Sequence, residues 1–223
     1  VLHLDAANVK SYPGTGSTWS DLSGNGNSGT LTGGPTYDPL NNGGIVFDGV
    51  NDYVQTNDSA SLDITGLNIT LEVVHKSNLL ANATHGDGII SKGNNGANDG
   101  VYEILLLPVG SANKAYIRCA GMGIYTPGTI LLDLGVTYSI TCVVDNGTMK
   151  IYVNGVEDGA GQATPNAILA SGSPLTLGTR ERHKGTDASA FGGTIYSARV
   201  YNRALTDAEI KQNFEATRGR YGI

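Results

Sequence analysis

Charge is scarce in this chain of 223 residues, since only 15% of them are charged, against roughly a quarter in an average globular domain. Basic residues are scarcer still: 14 Lys and Arg face 20 Asp and Glu, for a formal net charge of -6. A nucleic-acid surface needs clustered Lys and Arg to displace phosphate counterions, and no basic run occurs. The one local cluster, Arg180, Arg182 and Lys184, is broken by Glu181 and reads as a solvated loop. No apolar run approaches the roughly 18 residues of a membrane span, and Val1-Leu2-His3-Leu4-Asp5 is not a signal peptide. The chain therefore reads as soluble. The absence of an initiator Met suggests that residues precede Val1 in the gene.

Cysteine is nearly absent, at 2 residues, which is too few for a tetrahedral zinc site. Cys119 and Cys142 each lie in an apolar, strand-like stretch. We read them as two buried thiols rather than a disulfide, because the sequence does not place their Cα atoms within bridging range. Ala, Glu, Lys, Leu and Arg are not enriched, which excludes a helical bundle, and Gly has no period of three, which excludes collagen.

Glycine is abundant, with 32 residues or roughly twice the usual share. Much of it falls between short runs rich in Val, Ile, Leu, Thr and Tyr. These runs predict strands over 44–47, 53–56, 69–74, 88–92, 101–107, 114–119, 137–144, 149–153 and 175–178. The clearest hairpin is Thr137 to Val144, then Asp145-Asn146-Gly147, then Thr148 to Val153, because Asn-Gly tolerates the positive φ angles of a tight turn. Asn154-Gly155 implies a further reversal. Many short strands with little helix between them indicate an all-β sandwich or barrel, with residues 1–223 forming one domain.

One helix is expected, from about Asp207 to Thr217. Thr206 is its N-cap, Glu209 the capping-box partner, and Leu205 with Ile210 the hydrophobic staple. Arg218 and Gly219 supply an end through dipole complementarity and a left-handed stop. Its few apolar residues, Ile210 and Phe214 among them, predict a clip against the sandwich rather than a core element.

Four segments carry a resemblance: Trp19 to Leu31 (WSDLSGNGNSGTL), Ile45 to Val54 (IVFDGVNDYV), Met149 to Val156 (MKIYVNGV), and Gly193 to Thr206 leading into Asp207-Ala208-Glu209-Ile210. Together they resemble the laminin G-like, concanavalin A-like jelly-roll family in its bacterial and phage form. The resemblance implies a jelly-roll sandwich of two antiparallel sheets with one short C-terminal helix. The chain departs from the family at Val74, where relatives often carry Trp, and at Tyr196, where many have Asp.

Catalytic patterns are missing. Hydrolysis of a glycosidic bond needs two carboxylates about 5 Å or 6.5 to 9.5 Å apart. Hydrolases of this fold carry them as E-x-D-x-x-E on one strand, and no Glu here has an Asp two positions on. Glu72 and Glu103 stand singly in strands and read as outward-facing. No Gly-x-Ser-x-Gly elbow occurs, and His3, His75, His85 and His183 lack metal-ligand spacing. The loop Asp21-Leu22-Ser23-Gly24-Asn25-Gly26-Asn27 offers oxygens at alternate positions for a structural calcium ion, with Asp21 and Asn25 as side-chain ligands, or else is held by Asx turns. Asp52 caps the turn before Tyr53. Trp19, Tyr12, Tyr37 and Tyr125 lie in or beside loops where rings stack on sugars, and Asn94 to Asp99 offers a polar rim, yet no sugar site is assigned.

The expectation is a non-catalytic module on a virion surface, a phage capsid decoration, fibre or appendage, giving adhesion or weak glycan binding. The resemblance of Ile195 to Ile223 to phage structural proteins motivates the virion part. Other virion proteins, copies of itself in a homo-oligomer, and cell-surface glycans are the partners implied. The alternative is a carbohydrate-binding module of a larger secreted polysaccharide-acting enzyme.

Overall fold

In the computed structural model of the chain, the short apolar runs between turns build two antiparallel sheets. Residues 1–40, 42–93, 102–119, 126–163 and 167–223 are described. In chain order the strands are β1 (Leu2–Asp5), β2 (Thr18–Trp19), β3 (Gly29–Thr32), β4 (Thr36–Asp38), β5 (Gly44–Asp48), β6 (Tyr53–Thr56), β7 (Ile69–Ser77), β8 (Asp87–Lys92) and β9 (Tyr102–Val109). There follow β10 (Ala112–Cys119), β11 (Thr126–Pro127), β12 (Thr137–Asp145), β13 (Thr148–Val153), β14 (Val156–Glu157), β15 (Gln162–Ala163), β16 (Leu175–Leu177), β17 (Gly192–Tyr201) and the helix α1 (Asp207–Tyr221). The first sheet runs β14-β13-β12-β7-β17-β5-β4, with β1 beside β17 and β15 beside β13. The second runs β11-β10-β9-β8-β16-β6-β3-β2. The expected jelly-roll sandwich is what the chain forms.

Period-2 alternation sorts each strand between the inter-sheet core and an outer face. Ile69, Leu71 and Val73 of β7 and Ile140, Cys142 and Val144 of β12 enter the core, while Val74 and Val143 lie in separate clusters on the outer face. In β17 a bulge between Ile195 and Ser197 resets the alternation, so that Ala198 and Val200 return to the core after Tyr196 has pointed out. Cys142 is fully buried here, and the Cys119 side chain lies outside the described residues.

The outer faces are not open to water as the sequence implied. Glu72 and Glu103 do point away from the core, yet each is buried, because other segments lie over them. Over the first sheet lies α1, whose Asn213 amide donates to Glu72 Oε2 at 3.1 Å, beside Arg199 Nη1 at 3.0 Å from Oε1. Over the second sheet lies the stretch around Arg180, whose guanidinium meets Glu103 with two hydrogen bonds, of 2.7 and 3.1 Å. Arg180 is thus a buried ion-pair partner and not part of a solvated basic loop. A third hydrogen bond, to the His85 carbonyl at 3.0 Å, leaves that guanidinium well satisfied.

The helix begins as expected, with both halves of the Thr206–Glu209 capping box present, but it runs past Gly219. Gly222, at φ 70°, makes the left-handed stop, and its N–H donates to the Arg218 carbonyl. Tertiary contacts hold the extra turn: Arg220 pairs with both Asp5 oxygens at 3.0 Å, and the Tyr221 ring packs 5.2 Å from Tyr196. Val74 joins that cluster. The two departures from the family pattern therefore sit together, under the last turn of the helix.

Candidate functional site

A concavity lies where α1 meets the β12–β13–β14 edge. Local chemistry places each side. The β12–β13 hairpin turns through Asn146 and Gly147 at φ 46° and 78°, and pairs Asp145 with Thr148. With Met149, Ile151 and Val153 committed to the core, alternation sends Lys150 and Tyr152 to the outer face. Asn154 and Gly155 then reverse the chain, so that Glu157 pairs opposite Tyr152 and its Oε2 accepts from Lys150 Nζ at 3.0 Å. Gly155 is required on two counts: its φ is +76°, and a Cβ there would stand 2.9 Å from the Phe214 ring.

The helix supplies the opposite wall. Leu205 and Ile210, the staple pair, pack with Val143 and Tyr152 and fix the first turn. That brings Asp207 to the Tyr152 hydroxyl, which donates to Oδ1 at 2.6 Å. The result is a trough in two sections that share Tyr152 and Asp207. One section, about 540 Å³, is lined by Val143, Asp145, Lys150 and residues 204–208. The other, about 370 Å³, is lined by Asn154 to Glu157, Lys211, Phe214 and Glu215.

Its electrostatics follow from this lining. Burial pushes the Tyr152 phenol above its ordinary pKa, and the hydrogen bond to Asp207 with the charges of Asp207, Glu157 and Asp145 push it further. Tyr152 thus stays a neutral donor across the physiological range. The Lys150 ammonium is also raised, first by its hydrogen bond to Glu157 and then by the charges of Glu157, Asp207 and Asp145. Carboxylate acceptors, ammonium donors and a half-buried Phe214 ring are what a hydroxyl-rich ligand with apolar C–H faces can use.

The residues singled out in the sequence behave differently. Asp21 organises its own loop: Oδ1 accepts from the backbone N–H groups of His3 and Ser23, each at 2.9 Å, and Oδ2 from the Ser23 hydroxyl at 2.7 Å and the Asn27 N–H at 3.0 Å. A carboxylate has about four lone-pair positions, and protein donors fill them. Asn25 turns its amide nitrogen to Ser23 Oγ at 3.0 Å. As built, the loop does not fit a calcium ion at Asp21 and Asn25. Among the described residues no group of three or more His, Cys, Asp and Glu is placed to share a metal. Asn25 instead lines a smaller polar pocket of about 340 Å³ with Ser61, Asp63, Thr65 and Asn202.

Of the aromatic candidates, Trp19 is wholly buried, and Tyr12 is buried with its ring 5.3 Å from that of Tyr37. They pack; they do not offer open faces. Tyr125 and the Asn94 to Asp99 rim lie outside the described residues. Asp52 does cap its turn, with Oδ2 accepting from the Asp48 N–H at 2.9 Å. The trough itself went unrecognised in the sequence, although both its walls were legible there: the outward pair Lys150 and Tyr152 on a strand, and an acid in the first turn of a capped helix.

A family model described as the concanavalin A-like lectin/glucanases superfamily matches residues 48–211. No curated protein matches the chain. Among solved structures, domain 4 of AbnA, a GH43 extracellular arabinanase from Geobacillus stearothermophilus in complex with arabinotriose, aligns with a TM-score of 0.68 at 21% identity, covering 95% of this chain and 96% of that one. The binding domain of Paraclostridial Mosquitocidal Protein 1 aligns at 0.73 and 16% identity, over 97% of this chain and 52% of that one. Trypanosoma rangeli sialidase, in complex with the inhibitor DANA, aligns at 0.65 and 18% identity, over 96% of this chain and 32% of that one. The chain thus spans about half of the toxin binding domain and about a third of the sialidase. At these identities the likeness is one of fold.

Proposed function

The chain belongs to the concanavalin A-like lectin/glucanases superfamily, and from that premise we propose that it is a non-catalytic domain that binds carbohydrate along the trough between α1 and the β12–β13–β14 edge. One observation carries the reading: two adjoining hollows that share the hydrogen-bonded pair Tyr152 and Asp207, each lined by charged and aromatic side chains. The similar arabinanase domain, matched end to end, was solved with arabinotriose, and another similar structure is a toxin's binding domain. Two of the trough's carboxylates are engaged in ion pairs, Glu157 with Lys150 at 3.0 Å and Glu215 with Arg218 at 2.8 Å, and Asp207 accepts from the Tyr152 hydroxyl, which supports a binding role. Titration calorimetry with oligosaccharides tests the proposal. Binding that weakens in Tyr152→Phe and Asp207→Ala while the fold survives supports it, and turnover of the sugar, or binding indifferent to both changes, overturns it.

The mutual coverage with a domain of an extracellular enzyme supports the setting of a module within a larger secreted polysaccharide-acting protein. The virion-surface setting, with virion partners or a homo-oligomer, rests on the resemblance of Ile195 to Ile223 alone. Neighbouring genes separate them: a hydrolase domain fused to this one supports the first, and capsid or tail genes support the second. Among the described residues no helix is long and apolar enough to cross a membrane. Calcium at Asp21 and Asn25 has its own test, because a bound structural ion would raise the unfolding temperature on calcium addition, and the four donors on Asp21 argue for no shift.

A further inference from the structure

The trough is lined by the carboxylates of Asp145, Glu157, Asp207 and Glu215 but by only two ammoniums, Lys150 and Lys211. Two of the acids are already matched, Glu157 by Lys150 at 3.0 Å and Glu215 by Arg218 at 2.8 Å. Asp145 and Asp207 both line the larger section and have no ion-pair partner among the described residues: Asp207 accepts from the Tyr152 hydroxyl and Asp145 from the Asn146 amide. Two other groups feel the same field: Asp145, Asp207 and Glu157 each help to hold the Lys150 ammonium and the Tyr152 phenol protonated.

A helix N-terminus would ordinarily favour an anion at this place, through its free N–H groups and dipole. Here that advantage is used internally. The Glu209 N–H donates to Thr206 Oγ1 at 3.3 Å, the Thr206 N–H donates to Glu209 Oε2 at 2.9 Å, and Asp207 stands in the first turn. An approaching anion meets carboxylates in place of amides.

Resting on the proposed reading of the trough as a carbohydrate site, we infer that it selects uncharged glycans and turns away anionic ones such as uronates and sialosides. A ligand carboxylate within hydrogen-bonding range of Asp207 has no unpaired cation in the larger section to offset the repulsion. At the effective dielectric of a protein surface this costs at least tenfold in affinity, roughly, and the cost shrinks as salt screens it.

Calorimetry on the intact chain with arabinotriose, trigalacturonate and sialyllactose tests the inference. Arabinotriose should bind about tenfold or more tighter than either acid, and the ratio should fall when ionic strength rises from roughly 0.05 M to about 0.5 M. The isosteric double change Asp145→Asn with Asp207→Asn should bring the ratio towards one. Equal or tighter binding of an anionic sugar, or a ratio that neither salt nor the double change moves, overturns the selectivity and leaves the site standing. Failure of all three sugars to bind overturns the site and the selectivity together.

Discussion

Two glutamates occupy matching places on opposite outer faces of the sandwich, and they are buried in different ways. Glu103 meets a guanidinium in a dry site: its side chain and that of Arg180 are each 2% exposed and joined by two hydrogen bonds, and the Ser91 hydroxyl donates to the same carboxylate. Glu72 meets several partners: Arg199, whose side chain is 15% exposed, with the Tyr201 hydroxyl and the Asn213 amide from the helix. The cover over Glu103 is chain drawn down by a dry ion pair. The cover over Glu72 is a single capped helix resting on small apolar clusters, and a trough remains open along its first turns. Around Arg180 the face of the second sheet is sealed, while beside α1 the first keeps a trough, and the proposed ligand site lies there.

The difference predicts an ordered set of effects, the largest on the sealed face. Arg180→Met takes the cation away from a carboxylate in a dry site, and should cost about 3 to 5 kcal/mol by chemical denaturation. Arg199→Met leaves Glu72 with Tyr201 and Asn213, and should cost about 1 to 2 kcal/mol. Equal costs would break the contrast between the faces.

Acid sensitivity should arise in the core between them. His75 is fully buried, edge-on to Phe191 at 6.0 Å, with no hydrogen-bond partner on either ring nitrogen among the described residues. Burial lowers its pKa from 6.5 to about 4. The folded state therefore binds fewer protons than the unfolded one between these values. Its contribution is present above pH 6.5 and is lost as pH falls to about 4, amounting to about 3 kcal/mol. Asp87 works in the opposite sense, since burial raises it to about 7 and its contribution is lost as pH rises towards that value. The difference between the wild type and His75→Leu isolates the histidine: its slope of stability against pH should vanish from this window in the variant, and an unchanged slope contradicts the assignment.

Smaller effects belong to the lidded face. Thr206→Ala removes the N-cap and should cost about 1 kcal/mol, read by thermal unfolding. Lys150→Ala breaks an ion pair a third exposed on both sides and should change stability by less than about 0.5 kcal/mol. A larger loss there would mean that the trough's charges hold the fold rather than await a ligand.

Much of this architecture was legible beforehand, for local reasons. Asn146-Gly147 fixed a hairpin by φ alone, and Thr206 with Glu209 fixed a helix start by hydrogen bonds three residues apart. Alternation correctly aimed Glu72 and Glu103 outward. It could not say what would lie over them, because cover is decided by segments distant in the chain, α1 for one and Arg180 for the other. The end of α1 was misplaced for the same reason: Gly219 looks like a stop locally, and the pairing of Arg220 with Asp5 carries the helix onward to Gly222. The trough needed two such distant walls to meet, so its residues were visible and its existence was not.

The most direct test of the central claim is arabinotriose binding by calorimetry in three proteins: the wild type, Tyr152→Phe combined with Asp207→Ala, and Lys184→Ala on the sealed face. The account predicts binding by the wild type and Lys184→Ala, and loss of about tenfold or more in the double variant with its helical and sheet signatures intact. Binding that survives the double change at full strength would place the site elsewhere and contradict it.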